Sequence, residues 1–474
     1  MSAGLNFAQQ EAVNFLQGPC LVLAGAGSGK TRVITHKIGR LIQVGCDPQR
    51  IAAITFTNKA AAEMRERAKH LIGKAAYEVM ICTFHALGVR MLRQNGTAVG
   101  LKPHFSIMDS ADVTSILKDA GGTTDSATAR QWQWTISLWK NMGLNAEQAL
   151  IQAKDDNERT IAKIMARYEE RLSAYQSVDF DDLIGLPLKL LQQHPEVRAH
   201  WQQQLGHVLV DEYQDTNATQ YELLKQLVGE RARFTAVGDD DQSIYGWRGA
   251  TLDNLRRLPQ DYPSLKVIKL EQNYRSTSAI LRAANNVIGA NPKLYPKSLW
   301  SELGEGEPVR VVDADTEDHE AERVVARIQS LRAGQGMQTG TEWKDFAVLY
   351  RANHQARVLE QALRKAQIPY KVSGGQSFFD RAEIRDLCAW LRLISNNDDD
   401  PAFVRAATTP HTSPAPAARR ARAAAARVLP VVSTSSTSTI RSPSTGRCPT
   451  SRAAASLPPE ASSPWSLRSL RSNR

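Results

Sequence analysis

At 474 residues the chain exceeds one ordinary core, and at roughly 150 residues per domain about three units are expected. No run approaches the roughly 20 apolar residues of a membrane span, and the start, MSAGLNFAQQEAV, lacks the basic and apolar regions of a signal peptide, so a cytoplasmic protein with no membrane partner is expected. The net charge of +10 invites a nucleic-acid reading, but residues 411–474 hold ten Arg, no Lys and one acid, Glu460, which leaves only +1 for the first 410 residues.

In chain order, short apolar runs bounded by polar or turn residues occur at 20–25 (CLVLAG), 51–56 (IAAITF), 207–212 (HVLVDE), 233–239 (RFTAVGD) and 266–272 (KVIKLEQ). These read as buried strands. The stretches 31–44 and 59–72 read as helices between or after them. Alternating strands and helices predict an α/β fold with a parallel sheet and ligands at the carboxyl ends of its strands. From 87 to 200 helical runs such as 162–175 and 183–193 dominate and β-like runs are few, which predicts a helical insertion. After Arg275 new strand candidates appear at 308–314 (PVRVVDA) and 345–351 (DFAVLYR), flanking a helix over 317–331, so a second α/β unit is expected. The five cysteines are scattered, with no metal or redox spacing, and read as reduced thiols. From His411 the chain turns to Ala, Arg, Ser, Pro and Thr without apolar periodicity, which predicts disorder. Two readings of that tail are open: a basic segment that contacts nucleic acid, or translation of a GC-rich gene in a shifted frame, which is preferred.

Three motifs carry chemistry. AGAGSGKT, formed by Ala24, Gly25, Ala26, Gly27, Ser28, Gly29, Lys30 and Thr31, follows an apolar strand and opens a helix, as a P-loop requires. Its backbone N–H groups would wrap phosphates, Lys30 would reach the β- and γ-phosphates of ATP, and Thr31 would hold Mg²⁺. VLVDEYQD delivers Asp211 and Glu212 at a strand end, the first to anchor Mg²⁺ through water, the second to polarise the attacking water. VGDDDQSIYGWRGA offers Gln242 as an uncharged group able to sense the γ-phosphate. Tyr245, Trp247 and Arg248 beside it suit base stacking on single-stranded nucleic acid, although Trp247 could equally anchor a core.

Those motifs, with LNFAQQEAV (5–13), AITFTNKAA (53–61), TFHALG (83–88), DFDDL (179–183), QNYRS (272–276), YRANHQ (350–355) and IPYKVSGGQSFF (368–379), resemble the UvrD/Rep family of superfamily-one DNA helicases over about residues 4–410. The resemblance implies a RecA-like P-loop motor domain in two parts, 1–86 and 201–275, interrupted by the insertion 87–200. A partial second RecA-like domain follows at 276–372, then the start of a second insertion at 373–410 and the tail 411–474. It implies that Gln9 reads adenine, that Arg32 and Tyr274 flank that base, and that Arg275 is an arginine finger. Phe56, Thr57, Asn58, Thr83, Phe84 and His85 would line the DNA track, with Tyr245, Trp247 and Arg248 as the stacking platform. The implied activity is ATP-dependent 3′-to-5′ movement on single-stranded DNA and at DNA forks, in replication or repair. Family members continue for several hundred residues past the position of Pro410, through motifs not found here, so this chain is expected to be impaired in turnover. The rival reading is a non-catalytic fragment that binds ATP and single-stranded DNA.

Overall fold

Strands buried on both faces are dominated by apolar side chains, and the runs identified above largely supply them. In the computed structural model, which describes residues 4–334, 341–373, 381–396 and 399–408, the strands in chain order are β1 Cys20–Ala24, β2 Ile51–Thr55, β3 Met80–Thr83, β4 Ser106–Ile107, β5 Ser177–Val178, β6 His207–Val210, β7 Phe234–Gly238 and β8 Lys266–Leu270. Six of them form one parallel sheet in the order β3-β2-β6-β7-β1-β8, while β4 and β5 pair separately. β1 lies between β7 and β8, with Leu21 opposite Ala236 and Val267. The edge strand β8, KVIKL, exposes Lys266 and Lys269, charges that discourage further pairing.

Successive side chains divide the sheet into two cores. Cys20, Val22 and Ala24 join Val33, Ile34 and Ile38 of the helix Lys30–Gln43 and Met64 of the helix Asn58–Ile72. Leu21 and Leu23 point the other way, into a core with Phe84, Leu87 and Met91 of the helix Phe84–Asn95, and Leu188, Leu191 and Trp201 of the helices Asp182–Gln193 and Pro195–Gln204. The helices Ser110–Gly121, Ser126–Asn141, Ala146–Gln152 and Asp156–Ala174 have a core of their own built on Val113, Leu117, Ile136, Ile161, Met165 and Tyr168. Residue 87, expected to open the insertion, thus sits inside a helix that packs on the sheet; the separate core begins at Met108.

The second unit departs from expectation. No strand pairing involves 308–314 or 345–351 among the described residues. Phe346 and Val348 pack with Val325, Ile328 and Ile368, along the helices Glu317–Arg332 and Ala356–Lys365. Other apolar residues of the two segments are bare, with Leu349 95% and Val311 91% exposed. Those residues have strand composition, but a strand exists only where a neighbour accepts its hydrogen bonds. Residues 374–379 of the motif IPYKVSGGQSFF, and the tail 411–474 with Cys448, lie outside the described residues.

Candidate functional site

Because every strand of the main sheet runs the same way, the segments after β1, β2, β3, β6, β7 and β8 emerge at one edge, and the expected functional residues other than Gln9 lie in those segments. After β1 the loop turns through Gly27 at φ +68° and Gly29 at φ +88°, the left-handed region that glycine enters without cost. Gly29 caps the helix Lys30–Gln43 and no side chain bonds its first N–H groups, so the positive end of the helix is open to an anion. Tyr274 N–H donates to Gly27 O at 2.9 Å and Asn273 Nδ2 to Ala26 O at 2.5 Å. A Cβ at Gly27 would stand 2.8 Å from the Arg275 Cβ, so the loop lies directly beside exposed Arg275.

Lys30 Nζ donates to Glu212 Oε2 at 2.5 Å and reaches Gln242 Oε1 at 3.4 Å. Residues from the ends of β1, β6 and β7 are therefore joined through one ammonium. Glu212 adopts φ +48°, unusual for a residue with a side chain, and such strain persists where the surroundings impose it. Its carboxylate also accepts from Gln214 Nε2 at 3.0 Å, while Gln214 Oε1 accepts from Asp239 N–H at 2.9 Å. Gln214, inside the quoted VLVDEYQD motif, had no role from sequence; it ties the two acidic strand ends together.

Asp211 is buried behind Glu212, whose N–H donates to Asp211 Oδ1 at 3.0 Å. Burial, and then the Glu212 charge, push its carboxyl up to about 6. The folded value exceeds the unfolded one, so the stability tied to this proton is full below about pH 4 and lost as pH rises through about 6. Asp211→Asn keeps an oxygen for the Glu212 N–H and removes the buried charge. It is expected to stabilise the chain by about 2 kcal/mol at pH 8 and far less at pH 4, measured by urea unfolding. Equal stabilisation at both pH values would show that ionisation is not the cause.

Gln9, on the helix Phe7–Asn14, is fully buried. Its Nε2 donates to Ser28 O at 2.9 Å and its Oε1 accepts from Asn6 N–H at 3.1 Å, so its amide is engaged with backbone, and contact with a base would require exchanging those bonds. Tyr274 OH donates to Gln272 Oε1 at 2.9 Å and accepts from Asn6 Nδ2 at 2.9 Å, leaving its ring partly exposed next to the loop. Arg32 is exposed on the first turn of the P-loop helix.

On the same edge Tyr245, Trp247 and Arg248 form an exposed stack. The Trp247 ring is 60% exposed, which rules out the core-anchor alternative, and the Arg248 guanidinium lies 4.6 Å from its centroid. Thr57 and Thr83 cap helices through Ala60 N–H and Ala86 N–H, both at 3.1 Å, and Asn58 is exposed. Phe84 requires correction: it is 1% exposed and packs edge-on against Phe56 within the core, so it cannot line a surface as expected. His85 instead meets the exposed Phe180 ring at 5.3 Å. Phe180 was legible only as an apolar residue amid the acids of DFDDL.

Comparison with known proteins agrees with this geometry. The model of the UvrD/REP helicase N-terminal domain matches residues 5–263, and that of the UvrD-like helicase C-terminal domain matches residues 268–420. The chain is 52% identical over 419 residues to ATP-dependent DNA helicase Rep of Escherichia coli (strain K12), covering 87% of this chain and 62% of that protein. It is 44% identical over 416 residues to ATP-dependent DNA helicase PcrA of Leuconostoc citreum, covering 86% of this chain and 55% of that protein. The chain thus spans somewhat over half the length of these curated relatives. With one model matching more than half of its residues and a second continuing from it, the chain belongs to the UvrD/REP helicase family.

Proposed function

We propose that this chain is the nucleotide-binding part of an ATP-dependent DNA helicase that moves 3′ to 5′ on single-stranded DNA and acts at forks in the cytoplasm. The observation that carries the reading is Lys30 held between Glu212 and Gln242, with the exposed stack beginning at Tyr245, three residues after Gln242. Lys30 would exchange Glu212 for the β- and γ-phosphates, freeing Glu212 to orient water. Thr31 and the buried Asp211 would hold Mg²⁺, which neutralises phosphate charge when bound. Gln242 would register the γ-phosphate, and the segment from 243 to 248 would pass that state to the stacked bases. Arg275 would supply positive charge from the start of the second unit. No helix among the described residues is long and apolar enough to cross a membrane.

The test is equilibrium binding of a fluorescent ATP analogue and of an oligo-dT strand. Lys30→Ala is expected to weaken the analogue at least about tenfold, the loss of one charge-assisted contact, with oligo-dT affinity in the absence of nucleotide unchanged. Unaltered analogue binding would overturn the P-loop assignment. The bare faces at Val311 and Leu349 favour a second reading for the isolated chain, ATP and DNA binding without turnover.

A further inference from the structure

Asp239, Asp240 and Asp241 follow β7 directly, and their carboxylate oxygens lie within 4.8 Å of one another, the spacing of a metal cage. The cage is filled from within the chain. Lys297 Nζ is 2.9 Å from Asp239 Oδ1, 2.8 Å from Asp241 Oδ2 and hydrogen-bonded to Asp240 Oδ1. An ammonium has three N–H donors, and here each has its own carboxylate. The Lys297 side chain is 3% exposed. Burial disfavours its charge, but the bonds to Asp240, Asp241 and Asp239 outweigh that and raise its pKa. The acids lie within the N-terminal family domain and Lys297 within the C-terminal one, so the cluster joins the two.

Its second face leads into the nucleotide site. Asp239 Oδ2 accepts from Gln242 Nε2, and Gln242 Oε1 faces Lys30 Nζ. Two residues before Lys297, Tyr295 N–H donates to Asp240 Oδ2 at 3.2 Å. Leu299 covers the P-loop so closely that a Cβ at Gly25 would run into its side chain. One segment, 295–299, therefore contacts both the P-loop and the loop that carries Gln242.

We infer that Lys297 is a positioning residue: it occupies the place of a divalent cation among Asp239, Asp240 and Asp241, and through Asp239 it aims the Gln242 amide at the γ-phosphate position. This rests on the proposed role of Gln242. With Lys297 removed, Asp239 is drawn off by repulsion from its neighbours and the amide loses its tether, while contacts to the α- and β-phosphates through the P-loop are untouched.

The test uses the full chain and Lys297→Met. In the parent and the variant, affinities for ATPγS and ADP are measured, together with terbium luminescence in the absence of nucleotide. Lys297→Met is expected to lower the ATPγS-to-ADP affinity ratio about tenfold, within the usual range of coupling between sites, with ADP affinity unchanged, and to bind a terbium ion that the parent does not. An unchanged ratio overturns the positioning role, as does an equal loss of both nucleotides, which marks mere unfolding. If the parent binds neither nucleotide, the ATP-site reading itself fails. Terbium uptake by the variant alone then still supports the cation role, and its absence overturns that too. Should Lys297→Met not fold, K297M/D240N removes one charge of each sign and carries the same ratio measurement.

Discussion

With saturating oligo-dT and Mg-ATP, the purified chain is expected to release phosphate at least about 10³-fold more slowly than the Escherichia coli relative assayed beside it, the range lost when an arginine contribution to phosphoryl transfer is missing. Nucleotide hydrolysis of this kind depends on groups closing from two rigid motor domains. The first wall is in place: Lys30, Asp211, Glu212 and Gln242 sit at the ends of three adjacent buried strands. Arg275 is also near, carried by the Asn273 and Tyr274 bonds to the P-loop backbone. In the proposed reading a second sheet would drive it onto the γ-phosphate, and 308–314 and 345–351 have no strand partner among the described residues. Leu349 and Val311 are left in solvent. Turnover within tenfold of the relative, abolished by Lys30→Ala, would show that the second sheet is dispensable for chemistry and sink this prediction. Slow turnover with intact analogue binding is the expected pattern.

Most of the first domain could be read from its residues because local and global demands coincide there. CLVLA, HVLV and FTAVG are mostly apolar and buried at every position, as the centre of a parallel sheet requires, and the glycine loop after the first can serve little else. β3 was not anticipated because its four residues, MICT, are too few to show a pattern and run straight into the helix at Phe84. Phe84 was misassigned for a related reason: its motif was expected to line a DNA track, but sequence does not say which side chains of a motif turn inward. Lys297 could not be found at all. It is a lone lysine more than fifty residues from its acids, and only the fold brings them together. The strands expected at 308–314 and 345–351 fail on the opposite account: their composition is right, but no neighbour among the described residues pairs with them.

Lys140→Met is expected to destabilise the chain by about 3–5 kcal/mol at pH 8, the cost of leaving buried charge without its partner. Lys140 ends the helix Ser126–Asn141 of the insertion, and its ammonium lies 2.7 Å from Asp179 Oδ2 and 2.8 Å from Asp182 Oδ1, with all three side chains largely buried. Tyr168 OH donates to the same Asp179 oxygen at 2.8 Å, and Asn141 Nδ2 to Asp181 Oδ1 at 3.0 Å. One cation thus pairs with two carboxylates, and a third, Asp181, lies beside them. Burial, then the Asp179 charge, push Asp181 up to about 6 and Asp182 up to about 7; burial acts on Asp179 too, but Lys140 and the bonds from Asp182 N–H and Tyr168 OH together hold it below its ordinary value. For the two raised acids the folded chain keeps protons that the unfolded chain has released, so stability falls as pH rises from about 4 through 7. Without Lys140 the cluster has no cation and holds those protons more tightly. The penalty of Lys140→Met should therefore be largest at pH 8 and shrink as pH falls below about 5, where protonation replaces the missing charge. Urea unfolding of both proteins at pH 8 and pH 5 measures it. Since Thr219 Oγ1 also donates to Lys140 O and Asn217 Nδ2 to Asn141 Oδ1, just beyond the Asp211–Glu212 segment, a penalty independent of pH would place the loss in that backbone junction instead of in the charge cluster.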